Sequence, residues 1–113
     1  MKYWRKVDDS IDPHAKGAKL DHGKAQPELI IRGFANALLA VSEVGTAGAI
    51  KYSPDGWAYV DNGQERYRNA GFRHTLKRFT DGEYDRDSGQ LHLAHEAWNK
   101  LAELELFLRE QDK

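Results

Sequence analysis

Several kinds of residue and segment are missing from this sequence, and each absence excludes a class of protein. Cysteine is absent, so the chain has no disulfide framework, zinc–thiolate site or thiol nucleophile. No run approaches the ~20 apolar residues of a membrane span, and the residues after Met1–Lys6 lack the apolar core of a signal peptide. Lysine and arginine number 17 against 18 acidic residues, which is not the cationic excess of a dedicated nucleic-acid coat. We therefore expect a soluble cytoplasmic protein that uses neither a membrane nor a nucleic acid as its partner.

The organisation of the chain follows from its length and local composition. A chain of 113 residues has the length of one domain with a modest core. Residues 1–16 are polar and lack periodicity, which predicts a tail that Tyr3 and Trp4 anchor on the domain or on a partner. Residues 17–26 are rich in glycine and charge, which predicts an irregular arm. We predict one all-α domain over residues 17–113.

Helical periodicity predicts three main helices, over residues 27–50, 65–80 and about 88–110. The first begins at Pro27, which is tolerated in a first helical turn, and the third is predicted to take Ser88 as its N-cap. Between the first two, residues 53–64 carry strong turn signals and a short extended segment at Trp57–Val60. The second helix is predicted to turn its apolar side chains inward, namely Tyr67, Ala70, Phe72, Leu76 and Phe79. A small bundle of three helices would leave the apolar first helix partly uncovered, so we expect a dimer or tetramer.

The third helix carries the polar side chains that most strongly indicate a functional site. An advance of ~100° per residue places His92, His95 and Asn99 within about 60° of one another. The spacing of the two histidines is i and i+3 with no glutamate between them, so the zinc-protease motif is absent. The polar stripe has two readings, a set of surface hydrogen-bonding groups or a site that handles a metal or a phosphate. The opposite stripe is predicted to face the core, and consists of Leu91, Ala94, Ala97, Trp98, Leu101, Leu104 and Leu108.

Several spaced blocks occur together in one order: Gly17–Lys24, Glu43–Val44, Gly48–Tyr52, Trp57, Arg66–Tyr67, Arg73–His74 and Asp85–Asn99. This pattern covers residues 17–105 and resembles the phage-associated dATP/dGTP diphosphohydrolase N-terminal-domain family. That family is related in architecture to the MazG-like all-α nucleoside triphosphate pyrophosphohydrolases. The resemblance implies an all-α fold, a divalent metal (Mg²⁺ or Mn²⁺) and a (deoxy)nucleotide substrate. The implied reaction is hydrolysis of a purine triphosphate to the monophosphate and pyrophosphate, in the host cytoplasm if a phage encodes the protein.

That reaction needs neutralised phosphate oxygens, a held pyrophosphate and an activated water. Oxygen atoms suit Mg²⁺, so the predicted metal ligands are Glu43, Asp85 and Asp87. The predicted catalytic residues are His92, His95 and Asn99, because imidazole titrates near neutral pH and also suits a transition ion. The predicted phosphate-binding residues are Lys19, Lys24, Lys51, Arg73 and His74. Tyr52 and Trp57 are predicted to stack on the base, although an aromatic beside a turn is also typical of a small core.

MazG-like enzymes carry paired carboxylates on two helices, and this sequence departs from that pattern. Glu43 has Ala40 and Thr46 at the positions three residues to either side, so the four-carboxylate site is not visible. Two alternatives therefore stay open beside the pyrophosphohydrolase. One is a non-catalytic module that binds or sequesters a nucleotide, or contacts a host protein, on the same scaffold. The other is a phosphohydrolase of different specificity that uses the histidine pair, although the paired His-Asp signature of that class is missing.

Overall fold

A computed structural model describes residues 11–112, and every regular element among them is helical. The elements are α1 (Pro27–Gly33), α2 (Ala35–Lys51), a short 3₁₀ helix (Gly56–Tyr59), α3 (Gly63–Asp81) and α4 (His92–Gln111). This confirms the predicted all-α class. Two compact units divide the chain, one ending at Ala35 and the other beginning at Asn36. The proposed anchors Tyr3 and Trp4 lie outside the described residues, and the predicted domain start at residue 17 stays a prediction.

The first unit is an irregular arm followed by a short helix. Hydrogen bonds from the Ala15 N–H to the Asp12 carbonyl and from the Lys24 N–H to the Asp21 carbonyl close two turns. Gly23 lies at a φ of 85°, in the left-handed region that glycine adopts without a steric penalty. α1 then begins at Pro27, where a missing N–H costs nothing because the first turn has no partner for it.

The single helix predicted over residues 27–50 is wrong, because the structure divides it into α1 and α2. The backbone leaves the helical region at Phe34, which has a φ of −118° and a ψ of 29°. Gly33, immediately before, has the low helix propensity that favours such a break. Among residues 11–112 no single helix is long and apolar enough to cross a membrane, and α1 and α2 meet the length and composition criteria only when counted together.

The second unit is built on α3 and α4, which pack as an antiparallel pair. Gly71 of α3 faces the Cβ of Asn99, and a Cβ added at Gly71 would lie 3.5 Å from it. Nearer the start of α3, a Cβ added at Gly63 would lie 2.7 Å from the Leu106 side chain of α4, a distance that real Cβ atoms do not show. An added Cβ would make only ordinary van der Waals contact at Gly71 but would overlap Leu106 at Gly63, so Gly63 is the position where the missing side chain lets the two helices approach closely. The Arg68–Glu103 ion pair, at 2.9 Å, spans the same two helices.

The predicted bounds of the last two helices need correction. α3 begins two residues earlier than predicted and ends one residue later. α4 begins at His92 with Leu91 as its N-cap, so the predicted cap at Ser88 is wrong. The reason is that residues 83–91 make their own turn hydrogen bonds, which occupy the backbone groups that an earlier helical turn would need.

The predicted core-facing stripe of α4 is only partly right. Ala94 is buried, and Leu91 and Trp98 are half-buried, as predicted. His92, Ala94, Asn99 and Ala102 are the buried residues of α4, whereas Leu101, Leu104 and Leu108 are exposed. On α3 the residues Phe72, Leu76 and Phe79 are likewise exposed instead of facing inward. Closely packed helices leave room between them for small and flat side chains, so the bulky apolar groups lie on the outer faces.

α2 and the 3₁₀ helix complete the second unit around Trp98. Val44 of α2 is buried, and a Cβ added at its neighbour Gly45 would lie 3.1 Å from the Trp98 indole nitrogen. The rings of Trp57 and Tyr67 pack edge-on against Trp98, with centroids 6.1 and 5.5 Å away, in the arrangement that aromatic quadrupoles favour. The extended segment predicted at residues 57–60 is therefore wrong, because Trp57 belongs to a 3₁₀ helix held by this cluster.

Candidate functional site

The loop between α3 and α4 positions the first functional group. The Asp85 N–H donates to the Gln90 carbonyl at 2.7 Å, and the His92 N–H donates to the Glu83 carbonyl at 2.8 Å. Gly89 donates its N–H to the Asp85 carbonyl and lies at a φ of 73°, which lets the chain turn sharply there. These bonds hold Asp85 immediately beside the start of α4.

Three imidazoles and one carboxylate converge at this end of the helix pair. The Nδ1 atoms of His74 and His92 lie 2.9 Å apart, within hydrogen-bond distance. The ring of His95 is stacked on the ring of His74, with centroids 4.3 Å apart and an interplanar angle of 4°. The Asp85 Oδ2 atom lies 3.8 Å from His74 Nδ1 and 3.7 Å from His95 Nε2. We call these four residues the histidine cluster.

Ser88 extends the histidine cluster toward solvent. Its hydroxyl oxygen lies 2.7 Å from His95 Nε2. In a serine–histidine–aspartate triad the carboxylate holds the opposite ring nitrogen from the hydroxyl. Here Asp85 and Ser88 both face Nε2 of His95, so the arrangement is not that of a serine nucleophile.

Burial and neighbouring groups together set the charge states of three members of the histidine cluster, His74, His95 and Asp85. Desolvation, together with the neighbouring His95, lowers the pKa of His74 to about 4, and desolvation also lowers the pKa of His95. Burial acts to raise the pKa of Asp85. However, the hydrogen bond from the Asp87 N–H and the adjacent imidazoles outweigh burial, and they lower that pKa overall. At neutral pH His74 and His95 are thus uncharged, and Asp85 is an anion beside them.

A second carboxylate, that of Glu96, is part-buried between the two helices. The Thr75 hydroxyl contacts both the Gly71 carbonyl, at 3.1 Å, and Glu96 Oε1. Glu96 Oε2 is buried and has no hydrogen-bond partner. Because a hydroxyl has one proton, it satisfies only one of its two acceptors at a time. Glu96 therefore carries an oxygen whose hydrogen-bonding capacity is unused.

The histidine cluster has a donor set that fits a divalent metal. One ligand atom from each of His74, Asp85 and His92 lies within 4.8 Å of the other two. Two ligands of a tetrahedral ion with bonds of about 2.1 Å lie roughly 3.4 Å apart. The observed separations from His74 Nδ1, 2.9 Å to His92 and 3.8 Å to Asp85, lie on either side of that value. Two imidazoles and one carboxylate are ligands for Mn²⁺, Co²⁺ or Zn²⁺ rather than for Mg²⁺.

The predicted metal ligands Asp87 and Glu43 and the predicted catalytic residue Asn99 do not belong to the group formed by His74, Asp85 and His92. Asp87 is exposed and contributes its N–H to Asp85. Glu43 is exposed on α2, where its backbone carbonyl accepts a hydrogen bond from the Gln90 side chain at 3.3 Å. Asn99 is buried, and its side-chain amide donates to the His95 carbonyl at 2.8 Å. The structure thus joins Asp85 with His74 and His92, and does not bring Glu43 or Asp87 into the group.

The predicted phosphate-binding cations are dispersed along the chain. Lys19 and Lys24 are exposed in the first unit, and Arg73 is exposed on α3 next to His74 in sequence. Lys51 ends α2, with its Nζ 5.2 Å from the centroid of the Tyr52 ring. Their predicted contacts with phosphate stay predictions.

The two predicted base-stacking residues have different surroundings. Tyr52 is exposed, and its ring contacts the Lys51 ammonium. Trp57 is half-buried in the aromatic cluster, and the Arg109 guanidinium lies 5.3 Å from its ring centroid. The core alternative for Trp57 therefore has a structural basis, whereas stacking on a base stays a prediction for both residues.

Ser88 and Thr75 lie near the histidine cluster and are not among the predicted site residues. Glu96 falls on the polar stripe of the third helix, but the sequence analysis assigns it no role in the site. One signal for Glu96 is present in the sequence, since it lies four residues after His92 and so falls on the same helix face. Thr75 and Ser88 carry no such signal, because their proximity depends on the pairing of α3 with α4 and on the turn before α4.

The fold and the histidine cluster define a small all-helical protein with a candidate metal site at one end of a helix pair. The chain belongs to the family described as dATP/dGTP diphosphohydrolase, N-terminal, whose profile matches residues 14–113. The family's name is that of a hydrolase of dATP and dGTP. Searches of curated proteins and of solved structures gave no match.

Proposed function

We propose that the protein hydrolyses a purine (deoxy)nucleoside triphosphate to the monophosphate and pyrophosphate, with the help of a divalent ion. Water adds to the α-phosphorus, the bond from that phosphorus to the bridging oxygen breaks, and pyrophosphate leaves with the electron pair. The family match supports the reaction class. The observation that carries the proposal is the convergence of His74, Asp85 and His92 on one point, because phosphoryl chemistry needs a charge centre of this kind.

Within this proposal His95 is the candidate base. Its ring is uncharged at neutral pH because burial lowers its pKa, so the ring can accept a proton. Its Nε2 atom contacts the Ser88 hydroxyl on the outer side of the histidine cluster, where a water can replace or share that contact. A bound divalent ion supplies charge neutralisation on the phosphate oxygens.

The proposal is tested by incubating the full chain with dATP, dGTP, ATP, GTP, dCTP and dTTP, each with Mg²⁺ or Mn²⁺. We expect pyrophosphate and a monophosphate in equal amounts, with purines preferred. Asp85→Asn should lower turnover at least ~10-fold, which corresponds to about 1.4 kcal/mol of transition-state stabilisation. Asp61→Asn, at an exposed turn, is the matched control and should keep full turnover.

A second candidate function is a non-catalytic nucleotide-binding module. It is favoured by one observation, namely that Glu43 and Asp87 lie outside the group formed by His74, Asp85 and His92. Nucleotide binding by calorimetry, with no product under any metal condition, would replace the hydrolase proposal with this one. Release of orthophosphate instead of pyrophosphate would assign a different phosphohydrolase.

A further inference from the structure

We propose that His74, Asp85 and His92 form a resident site for one first-row transition-metal ion, Mn²⁺, Co²⁺ or Zn²⁺, which the folded chain binds without nucleotide. The inference deepens the proposed function, since it names the ion that the hydrolysis would use. It also differs from a Mg²⁺ site, in which the ion arrives on the triphosphate.

The site is preformed by three separate elements. His74 lies on α3, Asp85 in the following loop and His92 at the first position of α4. Backbone hydrogen bonds on both sides of Asp85 and His92 fix the loop against the start of α4. A set of ligands that is already assembled loses little conformational entropy when an ion binds.

Asp85 has one oxygen engaged and one oxygen turned toward the rings. Its Oδ1 atom accepts the Asp87 N–H at 2.8 Å. Its Oδ2 atom lies 3.8 Å from His74 and 3.7 Å from His95, and both distances are too long for a hydrogen bond. A carboxylate oxygen that faces two imidazole nitrogens at these separations is placed to share a cation with an imidazole.

The close approach of His74 and His92 has two chemical readings. In one, a single proton lies between the two Nδ1 atoms, with one ring as donor and the other as acceptor. In the other, both Nδ1 lone pairs point at an ion that replaces that proton. The second reading also accounts for Asp85, which the proton alone leaves without a partner for Oδ2 among the imidazoles.

The ligand types decide which ions bind. Mg²⁺ demands near-octahedral oxygen ligands and keeps several waters, so two imidazoles are a poor set for it. Imidazole suits Mn²⁺, Co²⁺ and Zn²⁺. We expect the site to bind Co²⁺ more tightly than Mn²⁺. The site therefore discriminates by donor chemistry, before any nucleotide is present.

The test measures binding to the chelator-treated full chain by calorimetry, with MnCl₂, CoCl₂ and MgCl₂ in separate titrations and no nucleotide. We expect one Mn²⁺ or Co²⁺ per chain, bound at least ~10-fold more tightly than Mg²⁺. Equal affinity for Mg²⁺ and Mn²⁺ would overturn the proposal. With Co²⁺, the visible absorption should shift and strengthen relative to that of the aqueous ion when nitrogen ligands bind it, and an unchanged spectrum at saturating Co²⁺ would also overturn the proposal.

His74→Gln is the informative variant, because His74 is less buried than His92 and its loss removes one proposed ligand. Its Mn²⁺ affinity should fall at least ~10-fold, while the helical circular dichroism stays unchanged. His22→Gln, at an exposed position, is the matched control and should bind Mn²⁺ as the wild type does. His95→Gln should also keep Mn²⁺, and a loss equal to that of His74→Gln would overturn the ligand assignment.

A wild-type measurement avoids dependence on any variant fold. Substoichiometric Mn²⁺ should broaden the imidazole proton resonances of His74 and His92 before those of His14 and His22. Uniform broadening of all five histidines would overturn the proposal. Tight Mn²⁺ binding without hydrolysis would reject the proposed function and keep this site. Undiminished hydrolysis by His74→Gln would keep the proposed function and reject this site as the source of its metal ion.

Discussion

The Nδ1 atom of His74 lies 2.9 Å from the Nδ1 atom of His92, across the interface of α3 and α4. This contact lies one turn after Gly71, which faces the Cβ of Asn99 on α4. His92 is only 1% exposed, so the contact is sealed from water on the α4 side. His92 is therefore both a core residue and a candidate site residue.

Replacing His92 with alanine should destabilise the protein, because His92 is buried although the sequence places it on the stripe opposite the predicted core-facing one. The substitution deletes a buried ring and leaves His74 without its partner, which should lower the free energy of unfolding by about 1–3 kcal/mol. His22→Ala, at an exposed position, should change it by less than about 0.5 kcal/mol. Urea unfolding followed by circular dichroism measures both, and equal effects would contradict the buried position of His92.

The stability of the metal-free protein should depend on pH through His74. Burial lowers the folded pKa of His74 to about 4, from an ordinary value of 6.5 in the unfolded chain. Between these values the unfolded state binds more protons, so stability falls as the pH drops from 6.5 toward 4 and is level above 6.5. One such group contributes at most about 1.4 kcal/mol per pH unit. Urea unfolding at pH 5, 6 and 7 gives the free energy of unfolding at each pH. That free energy should change less with pH for His74→Gln than for His22→Gln or the wild type.

Glu96 and Thr75 should respond to substitution with opposite signs. Glu96→Gln keeps the shape, replaces a part-buried carboxyl group that has an unused oxygen and supplies an amide donor to Thr75, so the free energy of unfolding should rise by about 1 kcal/mol. Thr75→Val leaves both Glu96 oxygens without a hydroxyl partner and should lower stability by about 1–3 kcal/mol. If differential scanning calorimetry gave losses of similar size for both variants, the carboxylate would have a partner that this interpretation omits.

The protein should assemble into a dimer or tetramer. α2 is apolar around most of its circumference, and its exposed side chains include Leu39 at 65% and Ile50 at 82%. A helix of this kind is typical of a buried position. Light scattering at micromolar concentration should therefore give a multiple of the 12.9 kDa chain mass. Leu39→Lys should shift that mass toward the single chain, whereas Asn69→Lys, which adds the same charge at an exposed position on α3, should leave the assembly intact.

The helical class was predictable because apolar residues recur with the 3.6-residue period over long stretches. The break at Phe34 was not, since Gly33 alone lowers helix propensity without requiring an end to the helix. The period also leaves open which stripe of α4 faces inward. Leu101 and Leu104 are the more apolar choice, yet they are exposed, whereas Asn99, which faces Gly71, is buried.

The candidate site was predictable in part. His92 and His95 share a helix face by local geometry, and the turn signals before α4 place Asp85 close to them. Nothing local connects them with His74, which reaches them only through the antiparallel pairing of α3 and α4. Glu96 shares the helix face of His92, but its contact with Thr75 was not predictable, because Thr75 lies on the other helix.

The isolated antiparallel bridge between Tyr84 and Leu91 fixes the number of residues in the turn that carries Asp85. Adding or deleting one residue between those two positions would turn alternate side chains to the opposite side and separate Asp85 from His92. Natural variants of this turn should therefore differ by substitution and keep its length. The turn at residues 53–55, whose Ser53, Pro54 and Asp55 are all exposed, has room to vary in length as well as in composition.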